Sequence, residues 1–172
     1  MANIDRRTGT DVKAPMEIDP SAPGSIVRII LAAESALNIF MAIPIIFNAK
    51  EALGRMYLSD GKSAAPHAAS VFQLFGLSLV AMTVPMVLAI PNKTGAVERR
   101  RTTYQMLASF EAFAVPLSFW QAWVAGEADS GLDPSKVIWG FGLPIGLALG
   151  FRAWVLFVKP EWMGKYRAKR MD

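Results

Sequence analysis

Charge is spread along this chain in a way that leaves few folds open. Four stretches, 26–47, 68–90, 103–125 and 137–158, are almost free of ionisable side chains, and Lys, Arg, Asp and Glu collect between them. Each stretch is close to the ~20 residues that cross ~30 Å of hydrocarbon at 1.5 Å per residue. A helix of that length in a soluble bundle carries a polar stripe every three to four residues, whereas nothing between Val71 and Ile90 ionises. Composition agrees: 53% of the 172 residues are apolar and 19% are charged, more apolar than a soluble core of this size uses. The expected fold class is all-α, a four-helix transmembrane bundle.

Orientation follows from where the basic residues sit, because cytosolic flanks carry the excess of Lys and Arg. Of the 18 such residues, 13 lie before or just inside the first span, between the second and third, or after the fourth; Lys50, Arg55, Lys62 and Lys136 lie on the other side, and Arg152 is inside the fourth span. Both termini are therefore expected in the cytosol. Residues 1–25 are polar, contain Pro15, Pro20 and Pro23 and lack the apolar core of a cleavable signal. They read as a disordered cytosolic arm, with the first span as an uncleaved signal anchor. Residues 26–158 form the membrane domain and 159–172 a basic cytosolic tail. Its last residues, Lys169-Arg170-Met171-Asp172, resemble the dilysine retrieval signal, which implies the endoplasmic reticulum in a eukaryotic host; an ordinary positive-inside flank is the alternative.

Several classes of chemistry are excluded. Cys is absent and His67 is the only histidine, which removes disulfides, a thiol nucleophile, Cys-ligated zinc, iron–sulfur clusters and bis-His haem. There is no glycine-rich phosphate loop, nucleophile elbow or H-x-E zinc pattern, and the basic clusters flank apolar spans without interleaved aromatics, so nucleic acid is not an expected partner. No cofactor and no metal are expected.

The informative residues are those that ionise at membrane depth, where they are expensive and usually face a partner or a cavity. Glu34 and Glu111 each lie eight residues inside a span entered from the cytosol, ~12 Å deep, and Arg152 lies ~9 Å from the same surface. Three helices thus bring two carboxyls and one guanidinium to one layer. One Arg neutralises one Glu, and the other, desolvated, is expected to stay protonated and serve as a general acid, with the paired carboxylate as base or cation stabiliser. Asn38, one turn beyond Glu34, with Trp120 and Gln121 on the third span, are the candidate substrate-binding residues. The alternative for all of these is structural: an ion pair and interhelical hydrogen bonds that hold the bundle. Each span also carries one proline, Pro44, Pro85, Pro116 and Pro144, and bent helices make cavities possible. Asn48, His67, Gln73 and Gln121 form a second polar layer toward the outer face. Gly142, Gly146 and Gly150 form a small-residue face on the fourth span, suited to close helix packing.

The first span with its Ile43-Pro44-Ile45-Ile46-Phe47, the segment Leu74-Phe75-Gly76-Leu77-Ser78-Leu79 in the second, and Glu111 in the third resemble the DoxX-like group of small four-span membrane proteins, over residues 26–158. That group is functionally mixed, so the resemblance implies architecture and no reaction. Emopamil-binding-type sterol isomerases and the four-span anthrone oxygenases of polyketide pathways have similar architecture, but their motifs are not matched residue by residue and no roles carry over. The expected function is that of a cofactor-independent membrane enzyme of secondary metabolite biosynthesis. It would isomerise or cyclise a lipophilic substrate, a terpenoid or polyketide, with Glu34, Glu111 and Arg152 as catalytic residues. The competing expectation is a non-catalytic membrane subunit, homo-oligomeric or docking a partner membrane protein through helix surfaces such as the glycine face.

Overall fold

The computed structural model describes residues 16–168. In chain order they form strand β1 (Met16–Ile18), helices α1 (Ser25–Phe47), α2 (Ala49–Tyr57), α3 (Pro66–Ala89), α4 (Ala96–Trp120), α5 (Gly126–Ser130), α6 (Pro134–Val137) and α7 (Leu143–Phe157), and strand β2 (Tyr166–Ala168). Single π-helical segments, Gln121–Ala125 and Ile138–Gly142, carry α4 into α5 and α6 into α7. The second has a local cause. Pro144 has no N–H to give to the carbonyl four residues back, and the preceding Leu143 N–H reaches Ile138 O, five residues back.

Three helical rods, Ser25–Phe47, Pro66–Ala89 and Pro134–Phe157, are long and apolar enough to cross a membrane. The remaining expected span coincides with α4 and its π segment. There Glu98 and Arg99 to Arg101 occupy the first turns, and Gln105, Ser109 and Glu111 follow, so its hydropathy is diluted. Large apolar side chains face outward along the rods and α4; Phe47 is 83% exposed, Phe113 79% and Phe157 83%. Such a surface suits lipid rather than water, and the chain is read as a membrane protein.

α1 packs along α3, α4 along α7, and α3 against α4, whereas α1 and α7 are not packed along their lengths. Glycines sit at two of the tight contacts between elements. A Cβ on Gly76 would lie 2.8 Å from Cγ2 of Ile45, and one on Gly142 would lie 2.7 Å from Oγ of Ser118. Val27, Leu31, Met86, Tyr104, Leu107 and Val155 close the centre.

At one end of the bundle the two flanks of the chain are tied together. β1 pairs antiparallel with β2, with Glu17 opposite Arg167, and their side chains form an ion pair at 2.8 Å. Arg100, fully buried, donates to Ala89 O (3.0 Å), Pro23 O (3.1 Å), Met163 O (2.7 Å) and Ile90 O (3.3 Å), and also to Oδ1 of Asn92. Gly24 turns beside it at φ 73°, where a Cβ would meet Met163 O at 2.5 Å. One expectation is corrected here. Within the arm expected to be disordered over 1–25, the described residues 16–25 are ordered, because the tail strand and Arg100 supply hydrogen-bond partners that local composition does not reveal. Arg100 is an interior clamp, and a two-stranded pair accompanies the helices. Residues 1–15 and the tail signal at 169–172 lie outside the described residues.

At the opposite end the loop 58–65 is clasped to 126–136. Lys62 pairs with Glu127 (2.5 Å) and Lys136 with Asp60 (2.9 Å). Lys136 Nζ also donates to Leu58 O (2.7 Å), and Asp133 N–H to Tyr57 O (2.7 Å). Contacts with Lys62 and Ser59 hold the Glu127 carboxyl below its ordinary pKa, and contact with Lys136 does the same for Asp60.

Candidate functional site

The three ionisable residues expected at one depth do meet. Arg152, on α7 and 4% exposed, donates Nη2 to Glu34 Oε2 of α1 at 2.6 Å and Nη1 to Glu111 Oε1 of α4. The guanidinium also lies over the ring of Tyr104, 5.6 Å from its centroid, within the range of a cation–π contact. The pairing differs from the expectation of one neutralised and one unpaired carboxyl, since a single guanidinium engages both. Arg is the residue able to do this, because its planar fork presents parallel donors to two acceptors at once. The Glu34–Arg152 pair spans the side of the bundle on which α1 and α7 are not packed together, and Glu34 is the most accessible member, its side chain 26% exposed.

Unmatched polar atoms remain around the triad. Glu111 Oε2, Arg152 Nε, the Tyr104 hydroxyl and the neighbouring Ser35 Oγ are buried without a hydrogen-bond partner among the described residues. Buried polar atoms are rarely left so, and each needs an explanation. With one guanidinium for two carboxyls, the triad is neutral only when it also holds a proton.

On the outer side of this layer lies an open cavity of about 510 Å³ between α2, α3, α4 and the π segment before α7. Its walls are Leu53, Tyr57, Phe72, Phe75, Phe110, Phe113, Ala114, Leu117, Gln121, Leu132, Val137 and Phe141. Tyr57, Phe72, Phe75 and Phe141 make an interlocked ring cluster with centroids 5.8–6.5 Å apart. Phe110 and Ala114, which line the cavity, stand on either side of Glu111 in the sequence of α4, while no member of the triad lines it. Both π segments border the cavity, through Gln121 and Phe141, and such bulges recur at functional sites.

The substrate-binding candidates divide. Gln121 lines the cavity. Asn38 instead ties α1 to α3 by donating to Thr83 Oγ1 at 3.2 Å. Trp120 is 52% exposed on the outer surface, away from the cavity lining. Within the second polar layer, Gln73 donates to Ile46 O at 2.9 Å and Asn48 to Glu51, while His67 is exposed at the start of α3. Gly142 and Gly146 face α4, and Gly150 has open space beside it. Sequence reasoning missed Tyr104 and the ring cluster. Tyr104 was findable, since Tyr104, Leu107, Glu111, Ala114 and Ser118 repeat at three- and four-residue spacing on the buried face of α4. The cavity rings come from four separate elements and carry no such signal.

Comparison with protein-family models, curated proteins and solved structures finds no match.

Proposed function

We propose that this protein is an integral membrane enzyme that isomerises or cyclises a lipophilic metabolite by proton transfer, with Glu34, Glu111 and Arg152 as its acid–base centre. The observation that carries this reading is the Glu34–Arg152–Glu111 triad, with a buried, unmatched carboxyl oxygen on Glu111, carried by the same helix that walls an aromatic cavity. In an isomerisation one carboxyl gives a proton to a substrate double bond, and a carboxylate takes a proton from a neighbouring carbon. The double bond moves, composition is unchanged and no oxidant is needed. Arg152 holds the negative charge that remains and passes from one carboxylate to the other. A terpenoid or polyketide fits the ring-lined walls.

The reading includes four spans with both flanks on the cytosolic face. Three apolar rods alone would leave the flanks on opposite faces, whereas β1 and β2 are hydrogen-bonded to each other, which an even number of crossings accommodates. α4, packed between α3 and α7, is the added span, its Glu111 neutralised within the bundle.

The test compares lipophilic metabolites by mass spectrometry in cells with the intact gene, without it, and with Glu34→Gln/Glu111→Gln. An intermediate that accumulates both without the gene and with the membrane-inserted double variant supports the enzyme. A double variant that behaves like the intact protein refutes it. That outcome leaves the second reading, a non-catalytic subunit whose triad only locks α1 to α4 and α7; the engagement of both carboxyls by one guanidinium is the observation that favours it.

A further inference from the structure

Among the described residues, the cavity is polar at only two places. No Lys, Arg, Asp, Glu or His lines it, and its polar side chains are the Tyr57 hydroxyl and the Gln121 amide. Neither makes a side-chain hydrogen bond within the described residues, so both are available to a ligand. An ionised ligand would enter without a counter-charge, at a cost of several kcal/mol, which excludes anionic and cationic groups from the buried part of the occupant. The two polar groups are also held in place. Tyr57 is fixed by the hydrogen bond to its carbonyl from Asp133 N–H (2.7 Å) and by edge contacts with Phe72 and Phe141. Burial pushes its pKa up to about 12, so its hydroxyl remains a neutral donor at physiological pH. Gln121 opens the π segment that follows α4. Phe113 and Leu117, 79% and 53% exposed, line the cavity from the outer face of α4, so its mouth opens sideways, toward lipid.

We propose that this cavity takes a neutral, ring-containing lipophile with a single hydrogen-bonding head, a hydroxyl or a carbonyl, seated between Tyr57 and Gln121. This assignment rests on the cavity being the substrate site of the preceding section. The head lies toward the outer loops and the hydrocarbon body runs along the rings toward Ala114, which brings the body rather than the head to the carboxyl layer. Proton transfer is then directed at a carbon skeleton, as isomerisation of a double bond requires.

The test is binding by the purified full chain in lipid nanodiscs, with three fluorescent probes that share one ring system: anthracenemethanol, methylanthracene and anthracenecarboxylate. Titrations are corrected with empty nanodiscs. The alcohol is expected to bind about tenfold more tightly than the methyl compound, the worth of one well-made hydrogen bond, and the carboxylate is expected not to bind. Tyr57→Phe/Gln121→Leu should bring alcohol and methyl compound to equal affinity, and Ala114→Trp, which fills the inner end, should abolish binding of both. Unchanged melting temperatures show that each variant is folded. Equal binding of alcohol and methyl compound to the intact protein, or a preference that survives in the Tyr57/Gln121 variant, overturns the head-group assignment while leaving an apolar site. No binding above empty nanodiscs overturns the cavity as well. The metabolite experiment reads the chemistry independently, since none of these variants alters Glu34, Glu111 or Arg152.

Discussion

Arg152 illustrates how far one side chain can determine a membrane interior. Among the described residues it is the one cation in contact with the carboxylates of Glu34 and Glu111, from two other helices, so its removal leaves both without that counter-charge. Breaking a buried pair in this way typically costs about 3–5 kcal/mol, whereas removing all the charges together can be nearly neutral. Arg152→Met is therefore expected to lower the melting temperature in mild detergent strongly, and Arg152→Met/Glu34→Gln/Glu111→Gln to recover most of the loss. A triple variant no more stable than the single one would show that the triad does not act as a charge-balanced unit. Arg100 presents the opposite case. Its five acceptors are four carbonyls and one side-chain amide oxygen, so Arg100→Lys, which keeps the charge but loses the fork, should release the chain ends. Faster hydrogen exchange at Glu17 and Arg167, with α1 and α3 still protected, is the expected readout.

Helix packing makes its own predictions, because the glycines of α3, of the π segment before α7 and of α7 are not equivalent. Gly76→Ala places a methyl 2.8 Å from Ile45 and 2.9 Å from Ile46, and overpacking of this kind costs about 1–3 kcal/mol. Gly142→Ala collides with the Ser118 hydroxyl, so pairing it with Ser118→Ala should restore part of the lost stability. Gly150→Ala meets nothing within 4 Å and should be neutral or slightly stabilising, a contrast measurable by thermal unfolding of the three variants side by side. The loop clasp adds a pH dependence. Glu127 and Asp60 have folded-state pKa values below their ordinary ones, so their contribution is present above the unfolded values, near pH 4, and is lost as pH falls through the lower folded values. Exchange in the 58–65 loop should accelerate on acidification, and Lys62→Met/Lys136→Met should remove that acceleration.

At the scale of the whole molecule the decisive quantity is the parity of membrane crossings. The absence of Cys allows single cysteines to be placed without background. Ser21→Cys and Lys165→Cys should react with a membrane-impermeant maleimide from one side of sealed vesicles, and Ser63→Cys and Asp129→Cys from the other. Labelling of positions 21 and 165 from opposite sides would refute four spans. The same parity explains how much was legible beforehand. The apolar rods and the shared depth of Glu34, Glu111 and Arg152 are one-dimensional properties, measurable by counting residues along helices of known rise. The cavity is not, because Tyr57, Phe72, Phe110 and Phe141 lie on different elements, and only helix rotation decides whether a ring faces lipid or lumen. Trp120 and Gln121 make the point as neighbours in the chain, one outside and the other lining the cavity.

The sequence by itself determined a helical membrane chain and the layer in which its buried charges fall, because insertion into hydrocarbon is governed by local hydropathy and length. Tertiary structure alone decided that Arg152 serves both carboxyls, that Arg100 is a clamp, that residues 16–25 of the N-terminal flank are ordered by pairing with the tail, and that the cavity is walled by rings. Each of these depends on contacts between residues far apart in the chain. Their formation is set by how helices rotate and pack, a choice that the apolar periodicity of a lipid-facing rod leaves open.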